Sequence, residues 1–151
     1  MGERIRVTSY DKPRRYQLYN PKQKEIRNGI YYAFYKSFQS EVATGKHCAL
    51  LFDSKNRIIS SSINRHRTDG VMGSIHAEEG LLNSIISENP EFDFSTTTLL
   101  VVRGNLLGGY SNSAPCDKCL GLMIGMGVGT IIFTSRDGEL RKINNISIKS
   151  K

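Results

Sequence analysis

Two short segments forty residues apart constrain this chain more than anything else in it. The first is His76-Ala77-Glu78 and the second is Pro115-Cys116-Asp117-Lys118-Cys119. One histidine and two cysteines are three of the ligand types that hold zinc in a tetrahedron, and a catalytic zinc keeps its fourth position open for water. A fold built on these residues has to bring both segments to one point. Glu78 lies beside the histidine and is free to move protons. A C-x-x-C pair alone also fits a redox centre or half of a structural zinc site. A closed structural site needs a fourth protein ligand. The candidates are Cys48, His47 and His66, and none sits at a C-x-x-C or H-x-x-x-H spacing.

Length and charge narrow the class. A chain of 151 residues reads as one domain with room for a real core. Residues 1–22 read as a basic N-terminal arm, extended or mobile, and 23–151 as the domain. Between residues 1 and 27, eight cations stand against three anions, a surplus of five out of a net charge of +7. Such an arm suits nucleic acid or another polyanion, and it equally suits a solvated tail. No stretch is long and apolar enough for a membrane span, and the N-terminus has no apolar core of a secretory signal. Three cysteines, two of them assigned to metal, leave no disulfide framework. That suits a reducing, cytoplasmic compartment.

The periodicity predicts a helix over 23–39, with Ile30, Tyr31, Phe34 and Phe38 as its apolar stripe. The aromatics of this segment are expected to face the core rather than to stack on bases. Residues 48–52 and 57–63 read as a hairpin across the turn 53–56. A helix is expected over 75–87 with Ser74 as its N-cap, a strand over 97–103, and a helix over 116–126 with Pro115 at its first position. A fourth strand covers 130–134, and Asp137-Gly138 turns into a fifth over 139–148. A parallel fifth strand would need a crossover of a dozen or more residues. Only thirteen residues follow Gly138, so the fifth strand is expected antiparallel to the fourth.

The pattern H-x-E…P-C-x-x-C is the signature of the zinc nucleobase deaminases, and over roughly residues 25–136 the chain resembles the cytidine and deoxycytidylate deaminase superfamily. The resemblance implies an α/β/α three-layer sandwich around a five-stranded mixed sheet. It implies zinc on His76, Cys116 and Cys119, with hydroxide attacking C4 of cytosine and Glu78 carrying protons to N3 and to the leaving amino group. His76 and Glu78 do not share a helix face by spacing, so their convergence in the first turn is also an implication of the family. Both thiols are expected to have their pKa lowered at a helix N-terminus. Glu79 reads as a solvated or paired neighbour.

Family members with Asn-Arg at the corresponding place use the asparagine on the substrate ribose, which points to Asn64; a loop-capping role remains open for it. The backbone N–H of Ala77 resembles the group that meets the base carbonyl. Ser113 contacts the base edge or caps a helix. Free cytidine deaminases typically carry cysteine where this chain has His76, and an Asn-x-Glu-Asn element that it lacks. Arg65 and Arg67 beside the ribose site suit a phosphate. The expected reaction is therefore hydrolytic deamination of a cytosine nucleotide. The alternatives are a deaminase of cytosine or adenine in RNA or single-stranded DNA, aided by the basic arm, and a zinc-stabilised binding protein without activity. Intact Glu78 argues against the last. A homo-oligomer, dimer or higher, is expected. The tracts 112–116 and 133–138 resemble deaminase-like proteins of large DNA viruses and some eukaryotes.

Overall fold

The computed structural model describes residues 17–42, 45–66, 74–105, 110–135 and 139–144. Its strands are β1 (Gln17–Tyr19), β2 (Lys46–Phe52), β3 (Ile58–Ile63), β4 (Arg65–His66), β5 (Ser74–Ile75), β6 (Thr98–Gly104), β7 (Tyr110–Ser111), β8 (Thr130–Thr134) and β9 (Leu140–Asn144). Its helices are α1 (Lys24–Ser37), α2 (Ala77–Glu88) and α3 (Asp117–Gly125). The main sheet runs β1-β9-β8-β6-β2-β3. β2 pairs antiparallel with both β3 and β6, β6 and β8 are parallel, and β8 and β9 are antiparallel. The parallel step is bridged by α3, the crossover that parallel strands require.

The alternation along each central strand produces the layers. In β2, Cys48, Leu50 and Phe52 face α1, while Ala49 and Leu51 face α2 and α3. β6 repeats this with Leu100 and Val102 on one side and Leu99 and Val101 on the other, and β8 does the same with Ile132 against Ile131 and Phe133. A strand covered on both faces needs apolar residues at every position, which is why these segments read as unbroken apolar runs. The result is the expected three-layer sandwich on a mixed sheet, with the last strand antiparallel.

The sheet has seven strands rather than five: β7 pairs with β6, and β1 adds an edge strand that the sequence pattern did not separate from the arm. Gln17–Tyr19 pairs antiparallel with β9, Gln17 opposite Lys142 and Tyr19 opposite Leu140. Three residues are too few to show a period. Residues 1–16 of the arm and the Asp137-Gly138 turn lie outside the described residues; Ser135 N donates to Glu139 O at 2.7 Å.

α1 lies close on the sheet because its inner face is small. A Cβ on Gly29 would stand 2.5 Å from the Phe52 ring. Its buried positions are Ile26, Gly29, Ile30, Ala33 and Ser37, with Phe34 and Phe38 half-buried. Tyr31, Tyr32 and Tyr35 are exposed by 61%, 48% and 70%. The expectation of a core-facing aromatic stripe is thus wrong for the tyrosines. α3 ends in a Schellman turn, with Gly127 at φ 83°, Gly127 N bonded to Ile124 O and Val128 N to Met123 O, the arrangement that favours glycine after a helix.

Candidate metal centre and pocket

The two metal arms are two helix starts that meet over the same end of the sheet. His76 is the N-cap of α2, in extended backbone, after the short strand β5. Ser74, expected as that cap, lies in β5 instead. Cys116 is the N-cap of α3 and its Sγ accepts from Cys119 N at 3.4 Å. Pro115 therefore precedes the cap rather than opening the helix. His76 Nδ1 lies 3.2 Å from Cys119 Sγ and 3.9 Å from Cys116 Sγ. All three ligand atoms fall within 4.8 Å of one another. Zinc–sulfur and zinc–nitrogen bonds of about 2.3 and 2.0 Å give tetrahedral edges of roughly 3.5 to 3.8 Å. The donor set and its spacing therefore fit one zinc ion. Cys48 is buried on the α1 side of the sheet and does not join this group, and His66 sits exposed in β4.

The Cys119 thiol does not behave as a helix N-terminus alone would make it. Burial pushes the Cys119 thiol well up, and the neighbouring Glu78 carboxylate and Cys116 sulfur push the same way. Desolvation and like charge outweigh the helix end. A divalent cation among these groups is the charge that reverses this balance. Cys48 is raised to about 12 by burial, which makes it an inert core thiol.

Glu78 sits in the first turn of α2, beside His76 rather than over its helix face. Its side chain is buried, with 5% exposure. Burial raises its pKa first of all, opposed by its own backbone N–H and by His76, with Glu79 adding to the rise. A raised pKa makes a carboxyl readier to hold a proton that it has taken and to pass it on. Glu79 is paired, not merely solvated. Its Oε1 accepts from His76 N at 3.4 Å and its Oε2 lies 3.7 Å from Lys118 Nζ. Ala77, between His76 and Glu78, is fully buried.

A cavity of about 230 Å³ opens over the metal ligands, and Glu78 lines it together with His76 and Cys116. Asn64 lines it too, but its amide is occupied with the chain: Oδ1 accepts from His47 N at 2.9 Å and Nδ2 donates to Gly45 O at 2.6 Å. It pins the start of β2 as a pocket wall. Ser113 lines the cavity with its hydroxyl tied to the sheet, donating to Val101 O at 2.8 Å and standing 2.7 Å from Thr134 Oγ1. It thereby fixes the approach to Pro115 and Cys116. Arg65 is elsewhere. It lines a separate depression on the outer side of α2 with Ser62, Glu79 and Asn83. Arg67 lies outside the described residues.

Two further basic side chains line this cavity: Arg103, which the sequence pattern did not single out, and His47, considered there only as a metal ligand. His47 and Arg103 face each other across β2 and β6 and both line it. Strand parity carried the signal. Arg103 follows Leu99 and Val101 by twos, so it lies on the metal side of the sheet, just past the core. His47 precedes Ala49 and Leu51 in the same way. Burial, then Arg103, lowers the His47 pKa to about 4, so it is neutral at pH 7. A Cβ on Gly45 would stand 3.4 Å from Arg103 Cζ, so that glycine leaves the guanidinium its place.

Comparison with known proteins agrees with this geometry. The family model for the cytidine and deoxycytidylate deaminase zinc-binding region matches residues 32–135. Among solved structures, cytidine deaminase from Burkholderia pseudomallei superposes with a TM-score of 0.60 at 18% identity, covering 81% of this chain and 94% of that one. The dCMP deaminase of cyanophage S-TIM5, in complex with dCMP and dUMP, gives 0.55 at 18% identity, covering 77% and 85%. Cytidine deaminase from Mycobacterium leprae gives 0.51 at 14%, covering 81% and 94%. No curated protein matches the chain in sequence. None of the described helices is long and apolar enough to cross a membrane.

Proposed function

Because the chain belongs to the cytidine and deoxycytidylate deaminase zinc-binding family, we propose that it is a zinc-dependent hydrolytic deaminase of a cytosine mononucleotide. The observation that carries this reading is the placing of a buried carboxyl, Glu78, in one cavity with a His/Cys/Cys metal triangle. His76, Cys116 and Cys119 would hold the ion. When bound, zinc lowers the pKa of a coordinated water toward 7. The residues of the chain do the rest. The Glu78 carboxylate takes a proton from the attacking water and delivers it to ring N3, and then carries the second proton, from the new C4 hydroxyl, to the leaving amino nitrogen. Water adds at C4, the C4–amino bond breaks, and ammonia and the uracil form leave. Burial raises the Glu78 pKa, which favours holding the proton between the two transfers. The N–H of Ala77 stands at the positive end of α2, suited to a base carbonyl oxygen.

Arg103 favours a phosphorylated substrate over a bare nucleoside. It lines the same cavity, and a guanidinium there suits a phosphate. The test is ammonia release from cytidine, deoxycytidine and their 5′-monophosphates, with wild type and Arg103→Gln. Losing a hydrogen bond to a charged group costs about 1.5–3 kcal/mol. The variant should therefore lose roughly 10- to 100-fold in kcat/KM on the monophosphates and little on the nucleosides. Equal loss on both, or a wild type that prefers nucleosides, overturns the substrate assignment. Absence of ammonia from every cytosine compound overturns the reaction.

A further inference from the structure

We propose that the outward face of α1 is a docking strip for single-stranded nucleic acid, separate from the deamination pocket. α1 lies on the opposite face of the sheet from α2 and α3, so this surface serves neither the metal nor Glu78. Its inner side is seated on the sheet, and Tyr31, Tyr32 and Tyr35 stand outside the core, with Tyr35 touching only the edge of the half-buried Phe34 ring among the described aromatics. Single exposed apolar residues are ordinary. Three tyrosines within five residues of one helix, each about half exposed or more, form a surface.

The order along the helix is informative. Arg27, Tyr31 and Tyr35 follow each other at intervals of four and share one row. Tyr32 and Lys36 form the neighbouring row, with Lys36 Nζ 5.8 Å from the Tyr32 ring centre. Each interval advances about 6 Å along the axis, close to twice the 3.4 Å rise between stacked bases of one strand. Aromatic rings flanked by cations are the two elements that sequence-tolerant single-strand sites combine: stacking for bases and charge for the backbone. Phenols suit such a surface because the ring stacks while the hydroxyl stays hydrated.

Charge selects the occupant. Over residues 22–36, Lys22, Lys24, Arg27 and Lys36 stand against Glu25 alone. A second copy docking here about a twofold axis would set this positive face against itself. A polyanion is attracted to it.

The test is fluorescence anisotropy of the full chain with a labelled single-stranded oligodeoxythymidine. That probe holds no cytosine, so the result is independent of whether the pocket deaminates. Stacking is worth about 1–3 kcal/mol per base, so Tyr31→Ala with Tyr35→Ala should weaken binding at least about 10-fold. Tyr31→Phe with Tyr35→Phe should bind as the wild type does, because the ring is kept. Lys24→Ala with Arg27→Ala should reduce the salt slope by about one for each phosphate no longer neutralised. The proposal fails if the wild type does not bind the oligonucleotide, if the alanine pair binds unchanged, or if the phenylalanine pair loses as much as the alanine pair. It also fails if the alanine pair turns a dimer into a monomer in sedimentation while oligonucleotide affinity stays the same, since the face would then belong to a second copy.

Discussion

The two faces of the sheet use their helices differently. On one side α2 and α3 point their N-termini at a common spot, and each begins with a residue that presents a metal-binding atom at the cap. On the other side α1 lies flat on β2 and β6, packs through Gly29 and Ala33, and turns tyrosines to solvent. The first face devotes its local sequence to chemistry. The second devotes it to close approach. Removing a side chain should therefore have consequences that depend on the face far more than on side-chain size.

The largest effect is expected at the helix starts. Cys119→Ala removes one corner of the metal triangle. Bound zinc should fall from about one per chain to near zero, with loss of turnover and a lower thermal midpoint, because metal binding contributes to folding. Glu78→Gln keeps the triangle. It should retain zinc by elemental analysis and lose at least about 100-fold in turnover, the usual contribution of a positioned general acid–base. Near-normal turnover in that variant would separate the carboxyl from the reaction. With the wild type, burial holds the Glu78 pKa above its ordinary value. The limb of the turnover profile that falls toward acid should lie correspondingly above the usual carboxylate range.

A smaller effect, with a definite sign, is expected from His47. Its pKa is about 4 in the fold, against 6.5 when unperturbed. Between those two values the unfolded chain binds more protons than the folded one, so stability falls as pH drops from about 6.5 toward 4. Above 6.5 both states are neutral and the contribution is level. His47→Asn should flatten the denaturation midpoint over that window. An unchanged pH profile in the variant would place the acid sensitivity elsewhere.

The same contrast explains what is legible before folding. The central strands are legible because a strand covered on both faces must be apolar throughout, as in Cys48–Phe52 and Leu99–Val102. The candidate metal ligands are legible because their chemistry is local: each arm is three to five residues long, whatever the rest of the fold does. The pair His47 and Arg103 is not, because it exists only through the register of β2 on β6. Arg65, two residues past the end of β3, attracts a phosphate assignment because proximity in sequence stands in for proximity in space. Ser113 and Asn64 do line the cavity, but most of their hydrogen bonds hold the chain in place. The α1 face misleads because its aromatic residues count as core until one weighs what the sheet can accept. Phe52 already fills the space above Gly29, so bulk has to go outward.

The smallest effect is therefore expected where the sequence is most aromatic. Tyr31→Ala with Tyr35→Ala removes two large rings, yet both are mostly exposed. Exposed substitutions usually stay within about 0.5 kcal/mol. The thermal midpoint, zinc content and turnover on a mononucleotide should remain close to wild type. Gly29→Ala adds a single methyl on the opposite side of the same helix. Alanine favours a helix over glycine by about 1 kcal/mol, but here the new carbon meets the Phe52 ring at 2.5 Å. Overpacking of this kind costs typically about 1–3 kcal/mol, so the one-carbon variant should be the less stable of the two. If the tyrosine pair proves more destabilising than Gly29→Ala, α1 is held by its outer face as much as by its inner one. The contrast between the two sides of the sheet would then fail.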